Sequence, residues 1–504
     1  MRNEKHSCLS FFILHSAFCL GFAVSIFSAS LSSLDTISLA PIVLPADEWA
    51  ATPDVQFSAA ASAALPRREE LLGRMGVPAW HARGWRGRGL KIAVLDSGFR
   101  GYKAHLGAAL PRSVKTHSFR FDGNLEAKDS QHGILCAEVI HVLAPEAELL
   151  LANWEPEHPD RFLDAVRWAR REGARILSCS IIMPTWSDCE GHGRVHEELT
   201  RLLGSADGTS DALFFASAGN TAQRHWSGPF HDGGDGHHIW KVEEREARRE
   251  NVIRPWGSER VSVELCCPSE AVYQLIVADL ATGKVVGRSI SRDAAGASSA
   301  VVAFVPEQSH EYQARVRRLC GPTGRFHLVV LGGGLRHASR PGSIAFPGDG
   351  SEVIAVGAVD VSGRRLAYSS CGSKVGGTKP DFVATVPFPS SWRARPFAGT
   401  SAAAPQASAL AALLWSRYTD WNAARIRAAL KEAARPCSAK SPAWETGCGL
   451  LCLPSLSAKR SWRTGMFHDH KSADLLRQDG VARGLGVEAC QQEIRETRLD
   501  RSRA

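Results

Sequence analysis

The sequence predicts an α/β protein in which a parallel sheet flanked by helices is interrupted by an inserted antiparallel β-sandwich. Short, wholly apolar runs recur along the chain with helical patterns between several of them, as expected of strands covered on both faces. Between about Trp226 and Ala345 the apolar period changes to two, with Gly, Ser, Pro and Asp at the turns. Beyond it, "SIAFPGDGSEVIAVGAV" returns to the earlier pattern.

The elements follow in order. "MRNEKHSCLSFFILHSAFCLGFAVSIFSAS" places Arg2 and Lys5 before an apolar stretch free of Asp, Glu, Lys and Arg from Leu9 to about Ser30. Residues 1–30 therefore read as an export signal, with a retained membrane anchor as the alternative, and the chain is expected to be secreted or in the cell envelope. Residues 31–75, rich in Ala, Ser and Pro at their start, read as a linker or short pro-segment. The first α/β part, 76–225, holds buried-strand patterns at "LKIAVL", "AELLLAN", "ARILSCSI" and "ALFFASAGN", and helical patterns at "GILCAEVIHVL" and "DRFLDAVRWARREG". The insertion, 226–342, alternates in "RVSVEL", "YQLIVADLATGKVVGRSI", "AVVAFV", "EYQARVRRL" and "RFHLVVLG", with its clearest turn at "ATGK". The second α/β part, 343–457, contains "EVIAVGAV" and a small-residue helix from Ala402. The charged tail, 458–504, reads as a solvated extension.

With 44% hydrophobic and 22% charged residues the chain is globular. Its net charge of +8 is spread widely and matches no nucleic-acid-binding motif, so no nucleic-acid partner is expected. Of 13 cysteines, Cys8 and Cys19 lie in the leader; the odd number remaining leaves at least one unpaired, and the pairing stays open. No cysteine spacing supports a zinc site.

Four short segments carry chemistry. Asp96 ends the strand in "KIAVLDSG", His132 opens a helix in "QHGILCAEV", Asn220 ends "FFASAGN", and Ser401 lies in "FAGTSAAAPQASALAALL". Taken singly, these are a turn aspartate, a helix-start histidine, a turn asparagine and a helix-capping serine. Together they supply a hydroxyl nucleophile, a base, a carboxylate to orient the base and an amide donor for an oxyanion.

With these residues, in the order Asp, His, Asn, Ser, the chain resembles the subtilisin-like serine proteases, the subtilases (peptidase S8/S53 type). The resemblance also covers "ILSCSI", "YSSCGSKVGGTKPDFVA" and "TGCGLLCLPSL", and so extends over about 75–225 and 343–457. It implies a subtilisin-like fold, a serine endopeptidase with a polypeptide substrate, Asp96, His132 and Ser401 as a triad, and Asn220 as oxyanion donor. It further implies that Ser180, Ala218 and Gly219 line the substrate. No cofactor or metal is required for such chemistry; structural calcium is common in the family, and no loop here shows a recognisable ligand series.

Two departures bear on function. Where the family has glycines after the serine of its substrate-edge strand, this chain has "IIMP", Ile181 to Pro184, which is expected to narrow or reshape the cleft. The segment after Asn220 carries His231, Asp232, Asp235, His237 and His238, a metal-binding or gating loop in one reading and a polar linker in the other. A binding or scaffold protein without turnover is the competing function. An esterase is less favoured because Ser401 lacks a G-x-S-x-G setting.

Overall fold

The computed structural model describes residues 67–456, apart from 129, 205–210, 244–245, 269, 294–297, 375–378 and 438–440. The expected leader, most of the linker and the charged tail lie outside the described residues.

Five strands precede the insertion: β1 (Lys91–Leu95), β2 (Lys115–Ser118), β3 (Glu148–Asn153), β4 (Ile176–Cys179) and β5 (Leu213–Ser217). The insertion carries β6 (His225–Pro229), β7 (Lys241–Glu243), β8 (Glu246–Arg248), β9 (Asn251–Pro255), β10 (Val261–Cys267) and β11 (Val272–Asp279). It continues with β12 (Val285–Ile290), β13 (Arg292–Asp293), β14 (Ser298–Phe304), β15 (Tyr312–Cys320), β16 (Arg325–Leu331) and β17 (Gly333–Leu335). After it come β18 (Val353–Val359) and β19 (Phe382–Thr385).

The main sheet runs β19-β18-β5-β4-β1-β3-β2, and every pairing in it is parallel. Its apolar runs are continuous because both faces are covered. Ile92 and Val94 of β1 join one core with residues of the helices His132–Leu143 and Thr400–Arg417. Ala93 and Leu95 point the other way, into a core shared with Phe162 and Val166 of the helix Pro159–Arg171 and with Leu199 and Leu203 of the helix Arg194–Leu203. Among the described residues no helix is long and apolar enough to cross a membrane.

The insertion forms two five-stranded sheets, β13-β14-β10-β16-β6 and β12-β11-β15-β9-β17. Val261, Val263 and Leu265 of the first pack with Leu275, Val277 and Val316 of the second in one apolar cluster, the core of a sandwich. The "ATGK" turn between β11 and β12 is held by Asp279, whose Oδ1 accepts from the Thr282 N–H at 2.8 Å. The insertion leaves and re-enters the main body through a clamp. Thr221 Oγ1 donates to the Ser343 carbonyl at 2.7 Å, and Ser227 Oγ donates to the Pro341 carbonyl at 3.2 Å.

Strand β10 is buried along its whole length. Its odd positions face the sandwich core, while Ser262, Glu264 and Cys266 are covered from outside by the main body. The carboxylate of Glu264 accepts from Ser262 Oγ at 3.0 Å and from the Thr185 backbone N–H. Next to it, Val329 and Leu331 of β16 pack against Ile182. The sandwich therefore docks on the segment that follows β4.

Candidate active site

Asp96 follows β1 at the carboxyl edge of the sheet, where the loops of a parallel α/β fold gather their chemistry. Its Oδ1 accepts from the backbone N–H groups of Ser97 and Gly98 at 2.8 and 3.1 Å. Its Oδ2 lies 2.8 Å from His132 Nδ1. Asp96 is wholly buried and His132 nearly so, which makes this a charge-assisted contact in a dry site. Burial alone would lower the basicity of the His132 imidazole, but the Asp96 carboxylate, with a contribution from Cys136, outweighs it and holds the pKa well above the usual histidine value.

His132 is the first residue of its helix. Close approach there depends on Gly133, whose N–H donates to the Gly98 carbonyl at 2.7 Å; a Cβ at this position would lie 2.5 Å from the Phe99 ring. Phe397 presents its ring edge-on to the imidazole at a centroid distance of 5.4 Å.

Ser401 is the second residue of the helix Thr400–Arg417, and Gly399 is its N-cap, with no side-chain capping bond. The serine is thus not the cap that its sequence context allows. Pro405 sits inside this helix and has no N–H to offer the Ser401 carbonyl four residues back. That carbonyl is taken instead by Ser180 Oγ at 3.1 Å and by the Cys136 thiol at 3.8 Å. The Ser401 hydroxyl donates to the Ser180 carbonyl at 3.4 Å, while His132 Nε2 is buried with no hydrogen-bond partner among the described residues.

Asn220, just past β5, is tied to the same helix start. Thr400 donates to Asn220 Oδ1 through both its N–H and its hydroxyl, each at 3.0 Å. This fixes the amide and leaves Nδ2 as the donor end. Gly399 has φ +81°, and a Cβ there would lie 3.0 Å from Asn220 Nδ2, so the position needs glycine twice over. From behind, Arg224 Nε donates to the Asn220 carbonyl at 2.9 Å.

The structure therefore gathers Asp96, His132, Ser180, Asn220 and Ser401 around one helix start. Gly219 is there too, its N–H donating to Thr400 Oγ1 at 3.2 Å, and Ala218 is buried beside it. Two neighbours went unremarked in the sequence. Thr400 precedes the serine directly, and Cys136 lies one helical turn after His132, a spacing that puts both on one face. The Cys136 thiol is 3.8 Å from Asp96 Oδ2, and donor atoms of Asp96, His132 and Cys136 lie within 4.8 Å of one another.

The bulky "IIMP" segment is mostly absorbed by packing. Met183 lies in the core beneath the sheet, and Ile182 meets Val329 and Leu331 of the sandwich. Ile182 Cγ2 also comes within 3.5 Å of where a Cβ on Gly219 would stand, so it occupies the space beside that glycine.

The histidine-rich segment lies at the sandwich edge. Asp232 Oδ1 accepts from the N–H groups of Gly234 and Gly236 at 2.8 and 2.9 Å, and Asp235 pairs with Arg249 at 3.1 Å. His238 is buried against Trp226, Trp240 and Phe326, and its Nδ1 accepts from the His231 N–H at 3.1 Å. His237 pairs in a short bridge with Arg317.

Comparison with known proteins bears on the family and the fold. A sequence model of the subtilase family matches residues 273–472, a span that includes Ser401. Subtilisin DY of Bacillus licheniformis is 31% identical over 107 residues, 21% of this chain and 39% of that protein. M-protease of Shouchella clausii (strain KSM-K16) is 33% identical over 112 residues, 22% of this chain and 28% of that protein. The chain thus spans well under half the length of these curated relatives. The solved structure of the Clostridium perfringens CspB protease superposes with a TM-score of 0.55 at 13% identity, covering 77% of this chain and 98% of that one. In its matched segment and in its fold, the chain is subtilase-like.

Proposed function

We propose that the chain is a serine endopeptidase acting on polypeptides, with Ser401 as nucleophile, His132 as general base and acid, Asp96 as the group that orients the imidazole, and Asn220 as oxyanion donor. The observation that carries this reading is the buried 2.8 Å Asp96–His132 contact set beside the helix start that holds Ser401 and is bonded to Asn220. In the reaction, Ser401 Oγ turns from the Ser180 carbonyl toward His132 Nε2 and gives it a proton as it attacks the scissile carbonyl. Asp96 holds the imidazole with its Nδ1 proton inward and stabilises the imidazolium. The oxyanion is met by Asn220 Nδ2 and by backbone N–H groups at the helix start, whose positive end adds to the field. His132 then passes its proton to the leaving amine, and water attacks the acyl-enzyme by the same route reversed. These steps draw on no metal or cofactor. Export follows from the leader, with Ser180, Ala218 and Gly219 along the bound peptide.

The second reading, a binding protein without turnover, is favoured by one observation: Ile182 fills the space beside Gly219, one of the residues read as lining the substrate. A peptide library assayed with the purified chain and with Ser401→Ala separates the two. Cleavage by the wild type that is lost in the variant supports the protease, whereas binding of peptides by both without cleavage supports the alternative.

A further inference from the structure

The loop after β4 is fastened to the sandwich at several points. Ser187 Oγ and the Gly191 N–H both donate to Asp349 Oδ2, at 2.7 and 3.1 Å, which fixes the loop to the main body. On the sandwich side, Glu190 Oε1 lies 3.4 Å from His327 Nε2 of β16. Between these anchors Cys189 is held with φ +61°, a left-handed backbone that a non-glycine residue adopts only when its surroundings impose it. This conformation carries its thiol to 2.8 Å from the thiol of Cys266 on β10. Both residues are buried, packed together with Ala345. The neighbouring Cys267 points the opposite way, into the sandwich core, as strand alternation requires.

We propose that Cys189 and Cys266 form a disulfide that locks the inserted sandwich to the loop beside the candidate cleft. The two sulfurs are within an ångström of the ~2.05 Å bond length, so closure needs little movement. A small-molecule disulfide serves as oxidant. The two thiols lose two electrons and two protons, one S–S bond forms within the protein, and the S–S bond of the oxidant breaks to give two thiols. The contact with Cys266 and burial hold the Cys189 thiol well above its usual pKa, so exchange proceeds through opened or partly folded chains, since the thiolate is the attacking species. The bridge rests on the interface geometry and does not depend on catalysis.

The test is a thiol map of the full chain after incubation with oxidised glutathione or with dithiothreitol. Remaining thiols are alkylated in denaturant, and the non-reduced peptides are sequenced by fragment ions to tell Cys266 from Cys267. The expected result is a Cys189–Cys266 cross-linked peptide in the oxidised sample that vanishes with dithiothreitol. Thermal unfolding of the oxidised wild type should also occur several degrees above the reduced form, with a smaller gap in Cys189→Ala, where reduction still reaches the disulfide of Cys320. Recovery of both cysteines as alkylated thiols or glutathione adducts after oxidation, or of either one linked elsewhere, overturns the proposal.

Discussion

Asp96 is the residue on which the basicity of His132 depends, and its removal separates two effects. Asp96→Asn keeps the shape but loses the carboxylate that raises the imidazole pKa. The acid limb of the pH–rate profile should then shift to lower pH, while kcat falls by about 10⁴ because the imidazole is held in the wrong tautomer. A profile of kcat against pH checks both. Asn220→Ala should lower kcat by on the order of 10²–10³ with little change in KM, the signature of a donor used only in the transition state. Steady-state kinetics on one cleaved peptide measures this. At this scale the sequence was informative about residue types: each chemically distinctive side chain stands in a short, recognisable setting. It was silent on how the helix start is wired. That Pro405 frees the Ser401 carbonyl for Ser180 and Cys136, or that Thr400 aims the Asn220 amide, depends on contacts between segments far apart in the chain.

Among elements, the central strands of the main sheet were legible because burial on both faces makes them apolar throughout. Its two edge strands were not. β2 reads "KTHS" and is half-exposed, and β19 is a four-residue run after a proline; neither carries a long enough apolar signal. The alternating strands of the sandwich were legible for the opposite reason, one face being polar. A polar strand face ordinarily meets solvent, but in β10 the main body covers Ser262 and Glu264. Glu264 bears the consequence, for burial pushes its carboxyl up to about 7. Because the folded value lies above the ordinary glutamate value of 4.5, the folded chain retains a proton that the unfolded chain has released. The stabilisation is therefore full at low pH and is lost as pH rises through about 7, by up to about 3 kcal/mol. Relative to the wild type, Glu264→Gln should gain stability between about pH 5 and pH 8, as read by denaturant unfolding at both. Equal pH dependence of the two proteins would show that Glu264 is solvated.

For the whole molecule, the sandwich lies in sequence between Asn220 and Ser401, yet its ends close through Thr221–Ser343 and leave those two residues in one site. An insertion with adjacent ends costs the parent fold little loop entropy. Replacing residues 227–341 by a short Gly-Ser linker is therefore sterically feasible, but it uncovers Ile182 and the loop after β4. The expected outcome is a lower thermal midpoint and reduced peptide hydrolysis; a variant as stable and as active as the full chain would show that the docking has no role. Mapping the adduct of a fluorophosphonate probe on the folded chain tests whether Ser401 is a nucleophile activated by the Asp96–His132 pair. One adduct is expected, on Ser401, formed by the wild type and suppressed in His132→Ala. No labelling of well-folded protein, or labelling that survives in His132→Ala at the wild-type rate, would contradict it.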